Sequence, residues 1–178
     1  VPDLYEAWHA GKSKWKNYKS LNKNSIGIEI QNQGHNFRDK KYSPKQINSL
    51  KKLLKELIKL YAINKGNILG HSDISPERKK DPGEKFPWKH LAKCGLAKWH
   101  YLDEKLLKKL RLKKLKLIEE KKFLKNLYSI GYCKIKNSSL GYNNKTLFTA
   151  FQRKYRQSLI NGKSDQECLL ISKKLLKN

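Results

Sequence analysis

The chain has 178 residues, 38% of them apolar and 31% charged, with a formal net charge of +26. That length allows one ordinary domain, or one of about 100 residues followed by a smaller one, and the apolar share with its periodic stretches excludes a disordered tail. No apolar run approaches the roughly 20 residues of a membrane span. The charge admits a polyanionic partner such as nucleic acid, an anionic membrane or acidic envelope polymers. Only five of the forty-one basic residues are Arg, however, and the Lys richness is spread over the whole chain as a compositional bias would spread it. The Arg and stacking-aromatic pattern of a nucleic-acid reader is missing, so no specific nucleic-acid partner is expected. The chain begins at Val1 and contains no Met, which reads as the remainder of something longer, and no signal-peptide pattern is present.

In chain order, SIGIEIQ (Ser25 to Gln31) alternates Ile26, Ile28 and Ile30 against Gly27, Glu29 and Gln31, the period of a strand with one buried face. Ser43-Pro44 is a helix start, and Ile47, Leu50, Leu54, Leu57, Ile58 and Tyr61 continue it at helical spacing to about Ala62. Asn67 to Leu69 suits a short strand, and the strand, helix, strand order predicts an α/β architecture, a mixed sheet covered by helices. Trp88 to Lys93 reads as a short helix closed by Gly95. From Leu102 to Leu127 a Lys/Leu/Glu segment without Gly or Pro predicts one long helix or two joined ones, packing its Leu stripe on a neighbour. Lys145 to Ser158 and Asp165 to Leu176 are two more helices with an Asn161-Gly162 turn between them, so the second part is all-helical and the boundary falls near residue 102. Cys94, Cys133 and Cys168 fit no metal spacing and no closed disulfide framework; they are expected to be buried small apolar residues.

Chemistry concentrates in GHSDISPERKKDPGEKFPW, Gly70 to Trp88. His71 and Asp81 are both zinc-ligand types that a loop can fold onto one ion, but a catalytic zinc normally has three protein ligands and an open position. Lys79, two residues before Asp81, is placed to oppose developing negative charge. The competing reading is a polar turn at Asp81-Pro82-Gly83 with Arg78, Lys79 and Lys80 in solvent. Spacing alone leaves both open.

Together with AWHAGKSKW (Ala7 to Trp15) and NSIGIEIQNQG (Asn24 to Gly34), this loop resembles the AmiD/AmpD-like zinc-dependent N-acetylmuramoyl-L-alanine amidases of the amidase type 2 family, in the family's order over roughly the first hundred residues. GYNNKTLFTAFQRKYRQSLINGKSDQECLLISKKLL is similar to the three-helix peptidoglycan-binding module found in such enzymes, where Phe151-Gln152 sits in a helix and Asn161-Gly162 followed by Asp165 marks the next helix start. The resemblance implies an amidase domain over 1–102, lacking its N-terminal strands, and a peptidoglycan-binding-like helical domain over 103–178. It implies Zn2+ as cofactor, His71 and Asp81 as metal ligands, Glu29 as the catalytic carboxylate and Lys79 as a catalytic cation. Trp8 and His9 fall in the substrate groove, and Asp73 is local framework. The substrate it implies is peptidoglycan or a muropeptide, cut between N-acetylmuramic acid and L-alanine by a monomer in the bacterial envelope, most naturally the periplasm, with the cytosol as the alternative. The family's first zinc ligand is a His on a strand upstream of the WHAG segment, which this chain does not contain. The chain is therefore read as N-terminally truncated and as a possible inactive fragment, with a non-catalytic peptidoglycan-binding protein as the alternative.

Overall fold

The computed structural model describes residues 2, 4–33, 41–137, 141–142 and 144–177. Helices dominate, and the strands form two antiparallel hairpins among the described residues. β1 (Lys14–Trp15) pairs with β2 (Tyr18–Lys19) in the register Lys14↔Lys19 and Trp15↔Tyr18, and β3 (Lys136–Asn137) pairs with β4 (Gly141–Tyr142). A 3-10 turn, Leu21–Lys23, follows the first hairpin.

Ser25 to Gln31 differs from the expected strand. Ile28 and Ile30 do pack against the core while Gly27, Glu29 and Gln31 are exposed, so part of the predicted alternation is present, but Ile26 is exposed too. No strand among the described residues pairs with the segment, and without a neighbour's N–H and C=O groups an extended stretch is not a ladder. The end of the quoted segment, Gly34, lies outside the described residues. The short strand expected at Asn67–Leu69 is likewise replaced, by a 3-10 turn over Lys65–Asn67 that leads into extended backbone at Ile68.

α1 (Pro44–Tyr61) starts as its sequence dictates: the Ser43 hydroxyl accepts from Gln46 N–H, the Gln46 side chain accepts from Ser43 N–H, and Pro44 takes the first position, where a missing donor costs nothing. Ile47, Leu50 and Leu54 are buried, whereas Leu60 and Tyr61 face solvent. α2 (His71–Ile74) is a single turn, and α3 (Trp88–Lys93) has the predicted limits. The Lys/Leu/Glu segment is two helices, α4 (Glu104–Leu110) and α5 (Leu117–Ile130). Arg111 and Leu112 are drawn off the helical path by α7 (Gln166–Lys177) and the turn before it. Arg111 donates to both Glu167 oxygens at 2.7 and 2.8 Å, and Leu112 takes a left-handed φ of 63°.

α6 (Asn144–Tyr155) and α7 are joined through the Asn161-Gly162 turn, which the Gln152 side chain holds by accepting from both backbone N–H groups at 3.0 and 2.9 Å. Asp165 then caps α7 by accepting from Cys168 N–H. α5 and α7 run side by side in the same direction, with Gln166 donating to Glu119 and Asn126 to Ser172. Arg156 pairs with Asp165 and reaches Glu167, so two guanidinium groups meet two carboxylates between α4, α6 and α7. Of the cysteines only Cys168 is buried; Cys94 is exposed and Cys133 half-buried, which corrects the expectation that all three are core residues.

The aromatic core crosses residue 102. Trp15 meets Tyr132 edge-on at 5.0 Å, Tyr132 meets Phe151 at 6.3 Å, and Phe151 meets Phe123 and Tyr155 at 5.3 and 5.2 Å. Gly131 is required there: its φ is 138°, and a Cβ would lie 2.5 Å from the Trp15 ring. His100 stacks on Trp99, and its Nδ1 accepts from Leu102 N–H, so burial pushes the imidazole down to about 4.

Phe151→Ala should cost about 3–5 kcal/mol in denaturant unfolding, because Phe151 is fully buried at the centre of this cluster. The unfolded chain binds the His100 proton near 6.5 and the folded chain near 4, so stability should be complete above about pH 6.5 and decline by roughly 3 kcal/mol as pH falls to 4. Melting curves across that range should show the decline, and His100→Asn, which keeps an acceptor for Leu102, should flatten it.

Candidate active site

α2 exists because Asp73 folds back on its own turn. Its Oδ2 accepts from Gly70 N–H at 2.8 Å, and Ser75 N–H closes on His71 O at 2.9 Å. Ser72 N–H donates to Asp81 O at 2.9 Å, which ties the turn carrying His71 to the turn carrying Asp81. Gly70 allows this approach, since a Cβ there would lie 2.6 Å from Pro82 Cδ. Tyr42 O–H donates to Pro82 O and anchors the second turn to the start of α1.

The result is a pair. His71 Nδ1 stands 3.1 Å from Asp81 Oδ2, with the imidazole mostly covered and the carboxylate more than half exposed. The other ring nitrogen, Nε2, is 3.3 Å from Ala10 O, and a carbonyl only accepts, so this bond places the proton on Nε2. In the neutral ring Nδ1 is then a lone pair aimed at a carboxylate oxygen. Two acceptors facing each other at that distance call for a shared proton or a cation between them. When a proton stands on Nδ1, the His71 hydrogen bond holds the Asp81 carboxyl below its usual range, partial burial opposes this, and the Lys79 charge adds to the lowering.

An imidazole nitrogen turned outward by a backbone carbonyl, beside a carboxylate, is a donor set that zinc accepts. It is two donors, and among the described residues no group of three His, Cys, Asp or Glu could hold a metal ion. The pair fits a metal as part of a site.

Lys79 lies on the turn held by its N–H to Ser75 O, close enough to Asp81 to act on its charge. Glu29 is exposed on a separate segment, and among the described residues no hydrogen bond or ion pair joins it to His71, Lys79 or Asp81. His9 is engaged at both ring nitrogens, by Ala7 O and Ser25 Oγ at 2.8 Å each, and its ring packs on Gly27 of the Glu29 segment. Trp8 is 90% exposed. Three residues that matter here were not singled out in the sequence. Arg78 is exposed, as the polar-turn reading has it, yet it donates to Ala10 O and Lys12 O and so steadies the carbonyl that orients His71. Tyr132 and Lys154 bind Asp73 from the other end of the chain. For Lys154 a signal was present, since it stands three residues after Phe151 and seven after Leu147, on the apolar stripe of α6.

The profile of the N-acetylmuramoyl-L-alanine amidase family, amidase type 2, matches residues 1–84. The solved structure of Escherichia coli AmiD, titled as its complex with anhydro-N-acetylmuramic acid-L-Ala-D-gamma-Glu-L-Lys, superposes with a TM-score of 0.84 at 34% identity, covering 99% of this chain and 70% of that one. The chain belongs to this amidase family. The E. coli AmiD sequence is 35% identical over 181 residues, and this chain spans 65% of its length. An Enterobacter cloacae relative, the 1,6-anhydro-N-acetylmuramyl-L-alanine amidase AmpD, is 41% identical over 88 residues, which are 49% of this chain and 45% of that protein. The mixed α/β class read from the sequence is thus the amidase type 2 fold, and the AmiD likeness runs through the helical second part as well as the His71 loop.

Removing the imidazole should return Asp81 toward an ordinary carboxylate. In His71→Ala a carboxyl-carbon NMR titration is expected to show the Asp81 pKa rising, with Lys79→Ala raising it less; an unchanged Asp81 titration in His71→Ala would show that the pair does not interact in solution.

Proposed function

We propose that this chain is the His71–Asp81 side of a zinc-dependent N-acetylmuramoyl-L-alanine amidase that hydrolyses the amide between the lactyl group of N-acetylmuramic acid and L-alanine. The supporting observation is the convergence of His71 Nδ1 and Asp81 Oδ2 at 3.1 Å, with Nε2 committed to Ala10 O. The titled substrate of the AmiD structure, an anhydromuramyl peptide, supports a muropeptide as the substrate class.

In this reading His71 and Asp81 hold the ion with one further donor, which family resemblance expects from a His upstream of Val1. Zinc, when bound, supplies a Lewis acid that brings water ionisation from 15.7 to about 7. Glu29 takes the proton of the attacking water and later returns it to the leaving amine of L-alanine, a task for a solvent-reachable carboxylate. The Lys79 ammonium opposes the negative charge that develops on the former carbonyl oxygen. Exposed Trp8 offers a ring face to the sugar, and His9 holds its loop against the Glu29 segment. Residues 1–102 carry this chemistry and 103–178 form the helical module, in a monomer of the bacterial envelope, with the periplasm as the first compartment to test and the cytosol as the alternative. No described helix is long and apolar enough to cross a membrane.

The test is release of stem peptide from an anhydromuropeptide by a version of the protein that carries the family's upstream His. Activity should vanish in EDTA and in His71→Ala, and fall about 10²–10⁴-fold in Glu29→Gln and about 10²–10³-fold in Lys79→Ala. Full activity in EDTA would sink the metal reading. Retention on purified sacculi with no cleavage would favour a binding protein instead.

A further inference from the structure

The buried face of α6 carries Leu147, Phe148, Phe151 and Tyr155, and Lys154 stands among them with its side chain 3% exposed. A charge taken out of water persists only where its neighbours satisfy it. The Lys154 ammonium donates to Ile68 O at 2.8 Å and to Asp73 Oδ2 at 3.0 Å, and it lies 4.4 Å from the centre of the Trp88 ring. Asp73 is equally buried and also accepts from Tyr132 O–H at 2.7 Å and Gly70 N–H at 2.8 Å.

His71 lies between these grips. Lys154 takes hold of the backbone three residues before it and of a side chain two residues after it, and that side chain in turn caps the turn on which His71 sits. With both ends of 68–73 fixed, the imidazole has one direction in which to present Nδ1. We propose that Lys154 is a positioning residue for His71, so that the C-terminal helical module forms the foundation of the metal turn and is no detachable appendage. The zinc half of this proposal rests on the function proposed above; the structural half does not.

Two measurements separate them, both on the full chain. The first is amide hydrogen exchange without metal. Lys154→Met should speed exchange of the 70–74 amides roughly tenfold or more while α7 keeps its protection. Unchanged protection at 70–74, or equal acceleration in α7, would overturn the proposal. The second is zinc affinity of the version that carries the family's upstream His, by competition with a chromophoric chelator, with His71→Ala as the blank. Lys154→Met should weaken zinc binding by up to about 10-fold, less than the roughly 10–100-fold that follows loss of a ligand's direct partner, because Lys154 acts through the turn. The double variant Asp73→Asn/Lys154→Met removes both charges and should regain melting temperature over Lys154→Met without regaining zinc affinity. Wild-type zinc affinity in the double variant would reduce the pair to a packing role and overturn the proposal. Absence of zinc uptake by the version that carries the upstream His would count against the metal reading alone, and the exchange data would still decide the clamp.

Discussion

The Asp73 carboxylate is buried, and donors from three separated parts of the chain converge on it: the backbone at Gly70, the phenol of Tyr132 and the ammonium of Lys154. Each donor is itself placed by the core. Tyr132 is wedged between Trp15 and Phe151, and Lys154 rides on the helix that carries Phe151. Burying such a charge is unfavourable unless every lone pair is used, so the site tolerates few arrangements other than the one seen. The His71 turn and the helical second part meet at one carboxylate, and the first hairpin reaches it through Trp15 on the Tyr132 ring. The change of composition near residue 102 does not interrupt the core, whose aromatic contacts run across it.

Much of this was legible in the sequence, and the reasons are local. Ser43-Pro44 with Gln46 writes its helix start into four residues, and Asn161-Gly162 with Asp165 does the same for α7. The expected strand at Ser25–Gln31 was not realised because a pleat is a local property and a ladder is not. Alternating Ile residues can specify a face, but the partner's hydrogen bonds must come from elsewhere. The long Lys/Leu/Glu segment broke in two for a similar reason. Arg111 had a better use for its guanidinium at Glu167, 56 positions away, than on a continuous helix surface.

The site shows the same division. His71 and Asp81 stand ten residues apart, a span that one loop can close, so their approach is a local matter, whereas the direction of the ring depends on Ala10 O and on the distant partners of Asp73. Arg78 looked like one cation in a run of three until the carbonyls of Ala10 and Lys12 gave it partners. Asp73 read as framework, and framework it is, but the residues that make it so lie 59 and 81 positions later. Helical spacing marks Lys154 as anomalous on an apolar stripe without saying which anion waits opposite.

The arginines also divide the labour of charge. Of those described, Arg78, Arg111 and Arg156 are bound to carbonyls or carboxylates, and Arg153 is half-buried. Among the lysines whose burial is described, most stand in solvent and Lys154 is the buried exception. The large positive charge is therefore carried by a diffuse coat of ammonium groups, separate from the guanidinium bonds that hold the chain together. Such a coat acts over about a Debye length, roughly 8 Å at physiological ionic strength. It can draw the molecule toward polyanionic surfaces and raise its encounter rate there. Added salt would quiet that attraction while leaving the buried bonds almost untouched, so adhesion and folding answer to different parts of the same net charge.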